Sequence, residues 1–329
     1  GRMIVEKSIV NVVICLHATG GSTYHTMHLV AMAQAAGIEL TWSDISDLSD
    51  AIPLLARVYP NGMADVNHFQ AAGGLGFLIR ELLDAGLMHE DVGTIWGESN
   101  GKPGMRGYTV EAKLDEKGDV EWHDATADSG NEKVLAPVAK AFRPDGGLKV
   151  LNGNLGKAVI KTSAVKEDRQ IVEAPAKVFH TQEALQVAFK AGELNEDFIA
   201  VIRFQGPQAN GMPELHKLTP SLGVLQDRGF NVALVTDGRM SGASGKVPAA
   251  IHVTPEAKCG GAIAKVREGD MVRLDAKKGT LEILVDTAEF NARPNAAEDL
   301  SDNDFGMGRE LFAGFRNLAG TADTGASVF

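Results

Sequence analysis

The sequence predicts an α/β protein in two parts, the second of them a barrel or sandwich crossed by a few helices. Two observations carry this. At 329 residues the chain is long enough for two hydrophobic cores rather than one. Its texture also changes near Pro144 to Gly147: helical periodicity dominates the first third, whereas short β-rich runs dominate the remainder. The expected boundaries are therefore 1–145 for an α/β part and 146–329 for the β-rich part.

In the first part Ile9 to Leu16 (IVNVVICL) is a continuous apolar run of β-branched character and reads as a strand. The glycine turn ATGGST and a helix from Tyr24 to Ala36 come next. Helical spacing returns at Ile45 to Val58 and at Val66 to Leu87, with Asp65 suited to the N-cap and Gly86 close to the helix end. From Gly97 to Gly147 periodicity is lost among glycines, prolines and charges. The second part carries the runs LKVLNG, KAVIKTSAV, RQIVEAPAKVF, FIAVIRF, NVALVTDG, DMVRLDA and TLEILVD. Helices are expected only at Thr181 to Ala191, at Thr219 to Arg228 with Pro220 in the first helical position, and near Arg309 to Leu318. Such frequent strands imply a barrel or sandwich.

A net charge of -11 argues against a nucleic-acid partner or an anionic membrane surface, since both reward a basic patch. No apolar stretch reaches the roughly 20 residues that span a bilayer, and no signal-peptide layout opens the chain. Two cysteines, Cys15 and Cys259, form no disulfide framework and cannot alone ligate zinc or an iron–sulfur cluster, which fits a reducing cytoplasm. The opening Gly1-Arg2-Met3, with no initiator methionine and a strand pattern arriving almost at once, reads as a chain cut from something longer.

The densest cluster of chemical groups is Thr236 to Lys246 (TDGRMSGASGK), directly after the apolar run NVALV. A glycine-rich turn at a strand end exposes backbone N–H groups; Ser241 and Ser244 add hydroxyls, and Arg239 and Lys246 add positive charge. A solvated crossover loop is the plainer reading of the same residues. Spacing removes two familiar motifs: neither serine sits in Gly-x-Ser-x-Gly. A phosphate loop would need glycine where Met240 stands and Ser or Thr where Val247 stands.

A second cluster, Phe204 to Lys217 (FQGPQANGMPELHK), delivers Glu214 on a Gly/Pro-fixed loop. A carboxylate held in this way suits magnesium, although a surface ion pair near His216 and Lys217 would serve the same residues. The third, Thr19 to His25, places Ser22 and Thr23 at a helix start, where they cap the helix or receive a carboxylate or phosphate. His25 and His28 share that helix face but lack a third ligand in sequence, so packing or polar contact is the better reading. Ala72 to Gly76 offers only part of a dinucleotide fingerprint, with Ile79 at the third glycine position. Cys15 reads as core and Cys259 as a loop thiol.

Taken in order, ATGGST, ADVNHFQAAGG, GGLKVLNGNLGKAVIK, GPQANGMPELHKLTP, TDGRMSGASGKVPAAIHVTPEA and GRELF resemble the dihydroxy-acid and phosphogluconate dehydratase family. The last long motifs resemble its phosphogluconate branch most. The resemblance implies an N-terminal α/β domain followed by a swivelling β-barrel domain with crossover helices. It also implies elimination of water across C2 and C3 of a 2,3-dihydroxy acid, here a sugar-acid phosphate, by a cytoplasmic homodimer. It assigns the base to Ser241 and, in related members, a magnesium ligand to Glu214. The family's iron–sulfur cluster is held by cysteines upstream of this chain, so no cluster ligand is expected in it. For the phosphate, Lys217, Arg239, Lys246, Ser22 and Thr23 are candidates by charge and donor supply. Tyr24 departs from the asparagine usual after Gly-Gly-Ser-Thr. A half-length chain also leaves open a noncatalytic sugar-acid-binding or dimerisation module, or a dehydratase for another dihydroxy acid.

Overall fold

The computed structural model describes residues 3–96, 104–241 and 245–329. Ser244 and the GESNGKP stretch lie outside the described residues. The chain divides into two units: Gly1–Gly21, Met32–Leu40 and Asp44–Gly147 in one, and Ser22–Ala31, Thr41–Ser43 and Leu148–Phe329 in the other.

The first structural finding corrects the sequence reading. Ile9 to Leu16 is not a strand but the middle of a 14-residue helix, α1 (Glu6–Thr19). Ile9, Val13, Ile14, Leu16 and Ala18 are buried while Val12 is 44% exposed, which is a helical spacing. A nearly continuous apolar run hides its period, so its β-branched residues alone misled. The order is thus helix, glycine loop, helix, with α2 (His25–Ala35) and α3 (Trp42–Ala51) next. The expected helix to Val58 ends at Ala51 because Pro53 cannot extend it, and Leu54 and Ala56 instead bridge Arg143 and Leu135. Val66 to Leu87 holds two helices, α4 (Val66–Ala71) and α5 (Gly74–Asp84). Asp65 caps α4, its Oδ1 accepting from the N–H groups of Asn67 and His68 at 2.9 and 3.0 Å. The break falls at Gly73, whose φ of 125° disfavours any side chain, so the glycine run within Ala72 to Gly76 serves a turn rather than a nucleotide. A hairpin that the sequence reading missed, β1 (Val110–Leu114) with β2 (Val120–Asp124), comes after α5.

In the second unit eight strands close a barrel: β3 (Leu148–Gly153), β4 (Gly156–Lys161), β5 (Ile171–Phe179), β6 (Phe198–Ile202), β7 (Val232–Thr236), β8 (Ala249–Thr254), β9 (Met271–Asp275) and β10 (Thr280–Ile283). The order around it is β10-β3-β4-β8-β7-β6-β5-β9. Seven of these strands fall in the apolar runs read from sequence; β8, within VPAAIHVTPEA, was missed. Strands β5, β6, β7 and β8 run parallel to one another, and the other pairs are antiparallel except β10 with β3. Parallel pairs need crossovers. Helix α6 (Gln182–Ala191) makes the one from β5 to β6; the short α7 (Pro207–Asn210) and α8 (Leu218–Asp227) lie between β6 and β7. Pro220 stands third in α8 rather than first. Near the C-terminus lie α9 (Thr287–Ala292) and α10 (Ala313–Leu318).

Strand β6 is buried on both faces, as a crossover strand must be. Ile199 and Val201 join Ala233, Val235 and Leu274 in the barrel core, while Phe198, Ala200 and Ile202 pack with Leu218, Leu222 and Leu225 of α8. Those leucines recur at i, i+4 and i+7, and each contributes about 1.5–3 kcal/mol by leaving water. Among the described residues no helix is long and apolar enough to cross a membrane.

Two glycines make opposite predictions for urea unfolding. A Cβ at Gly73 would lie 2.7 Å from the Phe77 Cβ in a strained backbone, so Gly73→Ala should cost about 2–4 kcal/mol. Gly223, inside α8 with nothing within 4 Å of its would-be Cβ, should gain about 0.5–1 kcal/mol on Gly223→Ala. Equal effects at the two sites would contradict the backbone assignments.

Candidate active site at the carboxyl ends of the parallel strands

Because β6, β7 and β8 run parallel side by side, the segments leaving their carboxyl ends emerge at one end of the barrel. Open α/β sheets bind ligands at such ends, where backbone groups and loop side chains converge. Both motifs singled out in the second half sit there: FQGPQANGMPELHK comes after β6 and TDGRMSGASGK after β7.

The two segments run together. Glu214 and Arg239 form a parallel bridge, and the Leu215 N–H donates to the Arg239 carbonyl at 3.2 Å. Glu214 Oε1 accepts the Ser241 N–H at 3.0 Å, so this partly buried carboxylate fixes the serine's backbone rather than pairing with His216 or Lys217. Arg239 donates from Nε to the Met212 carbonyl at 2.6 Å, and its guanidinium lies 4.7 Å from the centre of the Tyr24 ring. Tyr24 thus offers the arginine an aromatic face, and its hydroxyl is buried with no hydrogen-bond partner among the described residues. Cation–π contacts of this kind are worth about 0.5–2 kcal/mol and hold the arginine in place.

The helix-start residues tie to the same loop. Thr23, 3% exposed, donates its hydroxyl to the Met240 carbonyl at 3.0 Å. Ser22 accepts the Tyr24 N–H at 3.3 Å, and the first amides of α2 bond to the carbonyls of Ser22, Thr23 and Tyr24. Here, then, Thr23 anchors the Ser241 turn. The histidines of α2 make the polar and packing contacts expected of them: His25 Nδ1 lies 3.0 Å from the Ser22 carbonyl, and His28 meets the Tyr24 ring edge-on. Lys217 is exposed and paired with Glu183 at 3.3 Å, and Lys246 is exposed on the far limb of the turn.

Of four groups that the sequence reading left without a role, three lie at this end of the barrel and the fourth, Lys161 on β4, lies beside Ser241. Asp237 is fully buried and accepts the N–H groups of Phe204, Gln205 and Ala257 at 3.0, 2.9 and 2.9 Å. Burial pushes its carboxyl up to about 6 against the pull of those bonds. Glu256 accepts from the Gln208 and Ala209 amides at 3.0 and 2.9 Å, and burial pushes it up to about 7. His252 on β8 is fully buried with φ of 58°, and its N–H donates to the Gly238 carbonyl at 3.0 Å. Its Nδ1 lies 3.3 Å from the Thr26 hydroxyl, which itself donates to the Thr23 carbonyl at 2.8 Å, and its Nε2 has no partner among the described residues. Lys161, 7% exposed at the end of β4, lines with Ser241 and Thr23 a cavity of about 20 Å³. The only sequence signal for these four was their place in the long motifs TDGR, HVTPEA and GKAVIK.

The chain matches the model described as dihydroxy-acid/6-phosphogluconate dehydratase C-terminal over residues 133–326, and the corresponding N-terminal model over residues 1–103. The chain belongs to the dihydroxy-acid/6-phosphogluconate dehydratase family. It is similar to a phosphogluconate dehydratase of Rhizobium meliloti, with 64% identity over 328 residues, covering 100% of this chain and 53% of that protein. Against the phosphogluconate dehydratase of Escherichia coli K12 the identity is 56% over 99% of this chain and 53% of the relative. Against the dihydroxy-acid dehydratase of Thermus thermophilus it is 35% over 98% of this chain and 54% of the relative. The chain spans about half the length of the curated relatives it matches.

Burial holds the His252 imidazole down at about 3, below the ordinary 6.5, with Arg239 and His28 adding to the effect. The unfolded chain therefore takes up this proton first, so the contribution is complete above pH 6.5 and is lost as pH falls toward 3. From pH 6.5 to 5 that single group should remove about 2 kcal/mol. His252→Asn, which tolerates the positive φ, should narrow the difference between urea midpoints at pH 7.5 and 5.0. An unchanged difference would show that the histidine is not buried neutral.

Proposed function

We propose that the protein to which this chain contributes dehydrates 6-phospho-D-gluconate to 2-dehydro-3-deoxy-6-phosphogluconate, the dehydration step of the Entner–Doudoroff route. The observation that carries the proposal is the fixed Ser241 turn in a chain of this family whose identity is far higher to phosphogluconate dehydratases than to a dihydroxy-acid dehydratase. Removal of the C2 proton, departure of the C3 hydroxyl and growing negative charge at C1 are the three demands of the reaction. Ser241, as its alkoxide, takes the C2 proton and becomes the neutral hydroxyl; a metal centre of the longer protein would supply the positive charge that lowers the serine's pKa and would receive the departing C3 hydroxide. Glu214 and Thr23 hold its turn by the Ser241 N–H and the Met240 carbonyl, which keeps the hydroxyl aimed without reorganisation. Arg239, clamped between Met212 and Tyr24, supplies positive charge beside it.

For the phosphate the proposal favours Lys246, exposed and five residues beyond Ser241, with Lys217 as a second cation whose exposed pairing with Glu183 is worth less than about 1 kcal/mol. Ser22 is retained as a weaker donor.

The iron–sulfur dependence implied by the resemblance belongs, in this proposal, to the longer protein. Burial pushes the Cys15 thiol up to about 11, the reverse of what a thiolate ligand needs, and Cys259 is an exposed thiol also raised. Glu214 offers magnesium a single carboxylate, and among the described residues no group of three or more His, Cys, Asp or Glu could hold a metal ion. The chain's cysteines therefore do not fit a cluster, whereas Glu214 would supply magnesium with one carboxylate beside substrate and water oxygens. A cytoplasmic homodimer is the proposed working state.

At the length of its relatives, the enzyme should lose about 10²–10⁴-fold in kcat on Ser241→Ala, with iron and sulfide content unchanged. Turnover retained by that variant would remove Ser241 as the base. Wild-type protein should dehydrate 6-phosphogluconate in preference to 2,3-dihydroxy-isovalerate; the opposite preference would reassign the substrate. Lys246→Gln should raise KM for 6-phosphogluconate by about tenfold, the equivalent of one charge-assisted contact, and leave that for unphosphorylated gluconate unchanged. Equal effects on both substrates would move the phosphate elsewhere.

A further inference from the structure

Lysine is almost never as buried as Lys161 unless its charge is used, because desolvating an ammonium is costly. Strand β4 carries it as the last residue of a wall whose preceding Val159 and Ile160 are also buried, so the side chain does not take the route to the surface that a strand-end lysine normally takes. Apart from Lys161, the cavity it lines is framed by the hydroxyl-bearing Thr23 and Ser241 and by the apolar Met240, Val247 and Ile251. At about 20 Å³ the cavity has room for one oxygen-sized group. Its two hydroxyls are not equivalent donors. Thr23 already donates to the Met240 carbonyl, whereas Ser241 is fixed through its backbone N–H, which leaves its hydroxyl to chemistry.

We propose that Lys161 is a substrate-binding and catalytic residue that receives the C1 carboxylate of the sugar acid beside Ser241. The inference rests on Ser241 being the base. C1 is bonded directly to C2, so a group that takes the C2 proton necessarily has the carboxylate next to it, and the only charged residue among the described lining of the Ser241 cavity is Lys161. As the proton leaves C2, negative charge spreads onto the carboxylate oxygens, and a cation in an apolar wall stabilises that charge more strongly than one in water. The same wall pushes the amine down to about 8, a cost that a bound carboxylate offsets. The oxygen-sized recess fits one carboxylate oxygen. Lys161 thereby orients the acid end of the substrate, and the phosphate end points away from the recess.

The test uses the enzyme at the length of its relatives and two non-reactive probes, 3-deoxy-6-phosphogluconate and its C1 amide. Lys161→Met should weaken the carboxylate probe by at least tenfold and the amide by less than about threefold, and Lys161→Arg should recover part of the difference. In wild-type protein the carboxylate, but not the amide, should protect Lys161 from acetylation read by mass spectrometry, an arm that needs no variant to fold. Equal weakening of both probes, or Lys161 labelled equally with and without the carboxylate, would overturn the proposal. Ser241→Ala separates the two readings. It should bind the carboxylate probe normally, and activity surviving in it would sink the base assignment while leaving the Lys161 binding result to stand or fall by itself.

Discussion

The carboxylate of Asp237 is the constraint on which this end of the barrel depends. It stands immediately after β7 and, fully buried, accepts amides that come after β6 and β8 as well. Three neighbouring parallel strands are thereby tied at their carboxyl ends to one buried group. Each such bond to a charged acceptor is worth about 1.5–3 kcal/mol, which together compares with the several kcal/mol that burying a carboxylate costs. The remaining balance shows in the raised carboxyl, pushed up to about 6. Glu256 repeats the device one layer on by holding the Gln208 and Ala209 amides at the start of α7.

What the anchor fixes is the path of two loops that would otherwise be free to separate. With the ends of β6 and β7 pinned, the Glu214 and Arg239 segments lie in register, and the Ser241 N–H finds the Glu214 carboxylate. Three non-glycine residues with positive φ, Phe204, Met212 and His252, occur in or beside these loops. Strained backbone of this sort costs about 1–3 kcal/mol per residue and persists only where surrounding bonds over-determine it. The Asp237 carboxylate and the His252 amide supply that over-determination, so the backbone path from Asp237 to Ser241 is fixed by the barrel end.

Much of this was legible beforehand, for particular reasons. Strands such as FIAVIRF and NVALVTDG are short, β-rich and bounded by glycine, and the glycine-rich turns after them marked where chemistry could sit. Asp65 followed by an apolar run announced a helix start. Helix α1 was illegible because a nearly continuous apolar run hides its period, and β8 because it is short, opens on two alanines, carries a histidine and is bounded closely by Pro248 and Pro255. Lys161 and His252 escaped for a different reason. A lysine or histidine in a strand looks the same in sequence whether it faces water or is buried, and only the packing around it decides. Thr23 was read as a helix cap or a donor to an anion, and its hydroxyl bonds the Met240 carbonyl, since capping residues advertise donors without saying which acceptor the fold brings near.

Amide hydrogen exchange on wild type and Asp237→Asn tests the central constraint most directly. The account predicts that the amides of Phe204, Gln205 and Ala257 lose roughly ten- to hundredfold protection in the variant, as about 1.4–3 kcal/mol of lost bonding requires, while those of the β3–β4 pair keep theirs. Unchanged protection at the three amides, or uniform loss across the whole barrel, would show that Asp237 does not hold the strand ends together.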